Sequence, residues 1–155
     1  MITTENILAS AKKTVLAESE AISNLVNYLD DNFVKSVEAI FSSKGRLVVT
    51  GIGKSAIIAQ KIVATLNSTG TPSLFLHASE AIHGDLGMVQ PDDVVICISK
   101  SGNSPEIKVL VPLLKRFNNK LIAITGNITS FLGKEADYTL NTYVEKEACP
   151  NNLAP

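Results

Sequence analysis

The chain has 155 residues, 45% hydrophobic and 19% charged, with a formal net charge of −1 and no tryptophan. That length suits one domain with an aliphatic α/β core. The scattered lysines leave no nucleic-acid footprint, and no apolar run approaches the roughly 18 residues a membrane span needs. Two cysteines cannot build a disulfide framework; Cys97, inside an apolar run, and Cys149 read as thiols of a reducing compartment. The N-terminus lacks the apolar stretch of a signal peptide, so a soluble, cytoplasmic protein is expected.

Residues 4–29 carry Ile7, Leu8, Ala11, Val15, Leu16, Ile22, Leu25, Val26 and Leu29 mostly at helical spacing, with Thr4 as the N-cap. A second helix is expected from about Asn32 to Ser43, with Phe33, Val37, Ile40 and Phe41 on one face and Gly45 closing it. Neither holds a chemical cluster. Residues 1–44 therefore read as a helical lead-in that packs on the domain or on another subunit. From Arg46 strands and helices alternate. Strands are expected at Leu47–Thr50, Ser73–Leu76, Asp93–Ile98, Leu121–Thr125 and Tyr138–Asn141. Helices are expected from the Gly51–Ser55 loop to about Ser68, at Ser79–His83, at Pro105–Phe117 and around Ser130–Glu135, with a turn at Gly84–Gly87. Crossovers of this length require a parallel sheet, so the fold class is α/β: a doubly wound five-stranded parallel sheet sandwich with helices on both faces. A further helix should follow the last strand, and none is evident, so the closing C-terminal helix is expected to be missing.

In such sheets ligands bind beyond the carboxyl ends of the strands. Four loops fall there: Gly51–Ser55, His77–His83, Ser99–Ser104 and Thr125–Asn127. The apolar run Val94–Ile98 breaks into Ser99, Lys100, Ser101, Gly102, Asn103 and Ser104, then Pro105 and Glu106 open a helix. A hydroxyl-rich loop entering a helix N-terminus suits phosphate, because unpaired N–H groups and short side-chain donors converge there. Gly51, Gly53 and Ala56 match the relaxed dinucleotide fingerprint, but no acid stands at positions 71–79 to take ribose hydroxyls. A P-loop would need glycine where Val48 stands. What remains is close backbone approach to a small anion, with Lys54 able to reach the cleft. A cation in a first helical turn opposes the dipole, which hints at an anionic neighbour.

Several runs together resemble a known family. They are Gly-Ile-Gly-Lys-Ser at 51–55, Ser-Thr-Gly-Thr-Pro at 68–72, and His-Ala-Ser-Glu-Ala-Ile-His-Gly-Asp-Leu-Gly at 77–87. Ser-Lys-Ser-Gly-Asn-Ser-Pro-Glu-Ile at 99–107 and Glu-Ala-Cys-Pro at 147–150 join them. They are similar to the sugar isomerase (SIS) domain, and within it to the D-arabinose 5-phosphate isomerases, from about residue 5 onward. The resemblance implies exchange of ribulose 5-phosphate and arabinose 5-phosphate, supplying the sugar Kdo of lipopolysaccharide and some capsules. It implies a homotetramer, and often a pair of CBS domains after the SIS domain. The CBS pair, and a family histidine in a His-Pro-Gly-Gly context, are absent from these 155 residues.

Aldose–ketose exchange needs a base to move a proton through an enediol and a donor to steady the developing oxyanion. The family's catalytic positions fall on Lys54, Glu106 and Glu147. Lys54 is assigned to the enediolate or to holding substrate, and the two glutamates are alternative bases. Phosphate is expected on Ser99, Ser101 and Ser104, in a loop completed by Lys100, Gly102 and Asn103. Gly53 and Ser55 line the other loop, and by similarity Gly70, Thr71 and His83 border the sugar. No cofactor is required, since the proton moves between adjacent carbons. His77 is a candidate for an adventitious or inhibitory zinc, as the resemblance suggests. A downstream sugar product is a candidate second occupant. Two other classes compete: a non-catalytic SIS module that senses a phosphosugar, and a dinucleotide oxidoreductase. The first would need the phosphate loop but no base; the second lacks its acid.

Overall fold

The structure, a computed structural model, describes residues 3–149 and 151. Helix α1 (Thr4–Asn24) is capped by Thr3, one residue before the expected cap, whose side chain accepts the Asn6 N–H at 3.2 Å. A 3₁₀ turn, Leu25–Tyr28, leads to α2 (Asp31–Ser42), capped by Asp30. Helix α2 lays Ile40 against the sheet and buries Ser36, whereas α1 buries no residue. Its apolar side chains Ile7, Leu8, Val15, Leu16 and Ile22 are all more than half exposed. Within the chain α2 covers the sheet and the apolar stripe of α1 does not.

The strands are β1 (Leu47–Gly51), β2 (Ser73–His77), β3 (Val94–Ile98), β4 (Lys120–Thr125) and β5 (Tyr138–Asn141). Between them run α3 (Lys54–Ser68), α4 (Ala78–Ile82), α5 (Pro105–Arg116) and α6 (Phe131–Glu135). All pairings are parallel, in the order β2-β1-β3-β4-β5. Each interior strand buries both faces, so its sequence reads as an unbroken apolar run. One cluster packs Val48, Val95, Cys97, Leu121 and Ala123 against Leu110 and Leu114 of α5 and Leu132 of α6. On the opposite face Leu47, Val49, Ile96, Ile98 and Ile122 pack against Ala59 of α3. Truncating Leu110 or Leu114, both fully buried, is expected to cost about 2–5 kcal/mol. Burial also pushes the Cys97 thiol up to about 12.

Asp93, expected inside the third strand, instead precedes it and locks the amino end of the sheet. Its carboxylate accepts the Arg46 backbone N–H at 2.7 Å, the Arg46 guanidinium at 2.8 Å and the Gln90 N–H at 2.9 Å. Burial opposes that charge, but these donors outweigh it and hold the carboxyl below its usual range. Alongside, the Asn119 side-chain amide donates to the carbonyls of Gln90 at 2.7 Å and Asp93 at 2.8 Å. No helix follows β5 among the described residues, and residues 142–149 run as a strap without regular structure.

Candidate active site

The chain reverses its winding between β1 and β3. That gap is where a sheet of this order opens a crevice at its carboxyl end. The register puts Gly51 opposite both His77 and Ile98, Ile98 opposite Ile124, and Thr125 opposite Asn141, so every strand delivers its carboxyl-end loop to this edge. Beyond β1, a Cβ on Gly51 would press on the Ser55 backbone and the Ile98 carbonyl, so glycine lets α3 start close to the sheet. Gly53 holds φ +58 with open space around it, a conformation that L side chains rarely adopt. Lys54 follows as the first residue of α3, exposed and without an ion pair to any described residue, and Ser55 is half-buried beside it. The first N–H groups of α3 have no acceptor within their own helix.

The loop after β3 is built rather than slack. Ser99 is buried, and its Oγ accepts the Gly102 N–H at 3.1 Å. Gly102, at φ +64, fits under Ser130, whose Oγ a Cβ would overlap. The Asn103 side chain donates to the Ser101 carbonyl at 3.2 Å and accepts the Phe131 N–H at 3.0 Å. Ser99 and Asn103, expected among the ligand contacts, thus spend those groups inside the protein, shaping the loop and tying it to α6. Ser101 stays exposed, and the Ser104 hydroxyl is buried with no hydrogen-bond partner among the described residues at the start of α5. A buried hydroxyl with no partner in the chain marks a place where a ligand acceptor fits. Glu106, in the first turn of α5, is half-buried, and its carboxylate meets no donor among the described residues.

Lys100 does something the sequence reading missed. Its Nζ lies 2.7 Å from Glu147 Oε1, joining the Ser99–Ser104 loop to the strap after β5. The residues expected to border the sugar fall at both ends of the sheet. Gly70 and Thr71 precede β2, so they lie at the amino end of the sheet, the full length of a strand from the crevice. They line a groove with Val37, Ile40, Phe41 and Pro72 instead. Within one chain they do not border the site. His77 and His83 do reach the correct edge, at the end of β2 and after α4, His83 exposed and His77 with a buried, unpartnered Nδ1. Among the described residues no group of three or more His, Cys, Asp and Glu side chains is arranged to hold a metal.

The chain's residues 40–155 match the SIS domain family. The chain belongs to that family. As an SIS chain it is 49% identical over 150 residues to the arabinose 5-phosphate isomerase KdsD of Pseudomonas aeruginosa, covering 97% of this chain and 46% of that protein. It is 47% identical over 150 residues to the arabinose 5-phosphate isomerase KpsF of Escherichia coli CFT073, covering 96% of this chain and 46% of that protein. The chain thus spans just under half the length of these curated relatives. A solved E. coli CFT073 protein, in complex with arabinose 5-phosphate, superposes with a TM-score of 0.93 at 40% identity, over 99% of this chain and 82% of that one. In this SIS site, hydrogen-bond braces such as Ser99–Gly102 leave no periodic signal, and Lys100 and Glu147 stand 47 residues apart. Only the glycine at 102 hinted that the loop is tightly packed.

Proposed function

We propose that the chain is the isomerase domain of an arabinose 5-phosphate isomerase, interconverting D-ribulose 5-phosphate and D-arabinose 5-phosphate. The observation that carries this is the crevice between β1 and β3. A phosphate loop, the free carboxylate of Glu106 and the unpaired cation of Lys54 all open onto that one edge. Kinship with proteins named arabinose 5-phosphate isomerase supports the same reading.

The phosphate sits on Ser101, Ser104 and the first N–H groups of α5, where the helix dipole favours an anion. A carboxylate, Glu106 or Glu147, takes the proton from the carbon beside the carbonyl and returns it to the adjacent carbon. With the hydroxyl proton passing from one oxygen to the other, the carbonyl and hydroxyl exchange places, and no net proton or electron is gained. Lys54 steadies the enediolate oxygen between the two transfers. A phosphosugar sensor would need the phosphate loop but neither carboxylate nor Lys54 facing it. By the same reading the chain works in the cytoplasm, supplying Kdo synthesis for lipopolysaccharide or capsule. It works as a homo-oligomer, supported by the exposed apolar stripe of α1. Among the described residues no helix is long and apolar enough to cross a membrane.

Incubation with ribulose 5-phosphate in deuterated water tests the reaction. Arabinose 5-phosphate carrying deuterium at C1 or C2 is the expected product. Finding no aldose and no solvent deuterium in the recovered sugar would sink the isomerase reading and leave a binding module.

A further inference from the structure

Lys100 was expected among the substrate-binding residues of its loop; in the fold its ammonium pairs with Glu147. Its backbone carbonyl accepts the Gly126 N–H at 3.0 Å and the Thr125 hydroxyl at 3.3 Å, which fixes where its side chain starts. The aliphatic stem then runs over Gly126: a Cβ there would stand 3.1 Å from Lys100 Cδ and 3.2 Å from Cε. The absent side chain is the lane the stem occupies. At its end the ammonium meets Glu147 at 2.7 Å, with side-chain exposures of 41% and 22%. The strap that carries Glu147 is anchored upstream, by the Thr142 N–H on the Thr125 carbonyl and the Tyr143 N–H on Asn141 Oδ1, both 2.9 Å. Beyond Tyr143 it has no strand partner. A carboxylate on such a segment needs a tether to hold one place.

We propose that Lys100 is a positioning residue, its ammonium seating the Glu147 carboxylate beside the phosphate loop rather than binding substrate. The role of Glu147 rests on the isomerase reading; the tether itself does not. Two-point packing of the stem and a full-length reach distinguish this pair from a casual surface contact. Its exposure keeps the effect modest, because water and salt screen the attraction.

The test uses the whole chain as Lys100→Met, Lys100→Arg and Glu147→Gln, alone and with Lys100→Met combined with Glu147→Gln. Hydrogen–deuterium exchange of the peptide spanning residues 142–149 needs no turnover. Lys100→Met and Glu147→Gln should both speed exchange there, the double variant no further, and Lys100→Arg should keep wild-type protection. Steady-state rates on ribulose 5-phosphate supply the second readout. Lys100→Met should lower kcat roughly two- to fivefold, the span an exposed ion pair supports, with KM within about twofold. In the Glu147→Gln background it should lower kcat no further. Unchanged exchange in Lys100→Met overturns the proposal, as does a raised KM at constant kcat, which would make Lys100 a phosphate ligand after all. A wild-type chain that turns over no substrate removes the isomerase reading instead, and exchange alone then decides the tether.

Discussion

The two ends of one five-stranded sheet treat charged groups differently. At the amino end every buried charge is answered. Asp93 accepts four donor contacts from Arg46 and Gln90, and Asn119 clamps the carbonyls before β3. At the carboxyl end Ser99, Asn103 and the Lys100–Glu147 pair are spent on the fold, but others are left open: among the described residues the Ser104 hydroxyl is buried without a partner, and Glu106 and Lys54 have no ion pair. A polar group that the fold has satisfied adds stability, and one left open is available to a ligand. The carboxyl end mixes the two uses, whereas the buried charge at the amino end is spent on the fold, although the Asn119 Oδ1 beside it has no partner among the described residues.

Substitutions at the two ends should therefore damage different properties. The largest effect is expected for Glu106→Gln, which keeps size and removes the charge. If Glu106 is the base, kcat should fall by roughly 10²–10⁴, while the chain keeps its stability to within about 0.5 kcal/mol. Steady-state kinetics beside urea melts measures both; an unchanged kcat removes Glu106 from the chemistry and leaves Glu147. Asp93→Ala should do the reverse, costing about 2–3 kcal/mol of stability, since it strands donors that the buried carboxylate now takes, with kcat preserved. Its pH dependence has a definite sign. A carboxyl held below its usual range stabilises the fold above the unfolded value, near 3.9, and that contribution is lost as pH falls through the lower folded value. The gap between wild type and Asp93→Ala should therefore be full at pH 7 and shrink below about pH 4 in urea melts.

Much of this division was legible in the sequence. The runs Leu47–Thr50, Val94–Ile98 and Leu121–Thr125 announce strands buried on both faces, and alternation with helices forces the parallel sheet. Once strand direction is known, every loop that follows a strand is assigned to the carboxyl end. The same rule assigns Gly70 and Thr71 to the other end, because they precede β2; similarity of a short run carried no such direction. Periodicity showed that α1 has an apolar face but not what covers it, since a stripe such as Ile7, Leu8 and Val15 looks the same over a core or an interface. The pair Lys100–Glu147 depends on where the strap turns after β5, which no local pattern encodes.

Gly102 belongs to the carboxyl end yet behaves like the amino end, so it sharpens the comparison. Alanine there would overlap the Ser130 hydroxyl and hold a positive φ of +64. We expect a loss of about 1–3 kcal/mol together with a raised KM if the loop holds the phosphate as proposed, because the same backbone shapes it. The cost should be smaller in a Ser130→Gly background, which removes both the Oγ and the Cβ that stand in the way, measured against Ser130→Gly alone because Ser130 also caps α6; an undiminished cost would put the strain in the backbone.

The smallest effect is expected inside the sheet. Cys97 is the fourth of the five residues of β3, in register with Thr50 and Ala123, fully buried and with its thiol pushed up to about 12. Only thiolate reacts, so alkylation at Cys97 requires the sheet to open first. Labelling at neutral pH, located by mass spectrometry, should be unchanged within about twofold by Glu106→Gln, whose lost charge supports no packing. In Asp93→Ala it should rise in step with the lost stability, about 30-fold for each 2 kcal/mol, because the open population sets the rate. Equal labelling in the two variants would show that the amino-end lock does not hold the sheet together, and the contrast between its ends would fail.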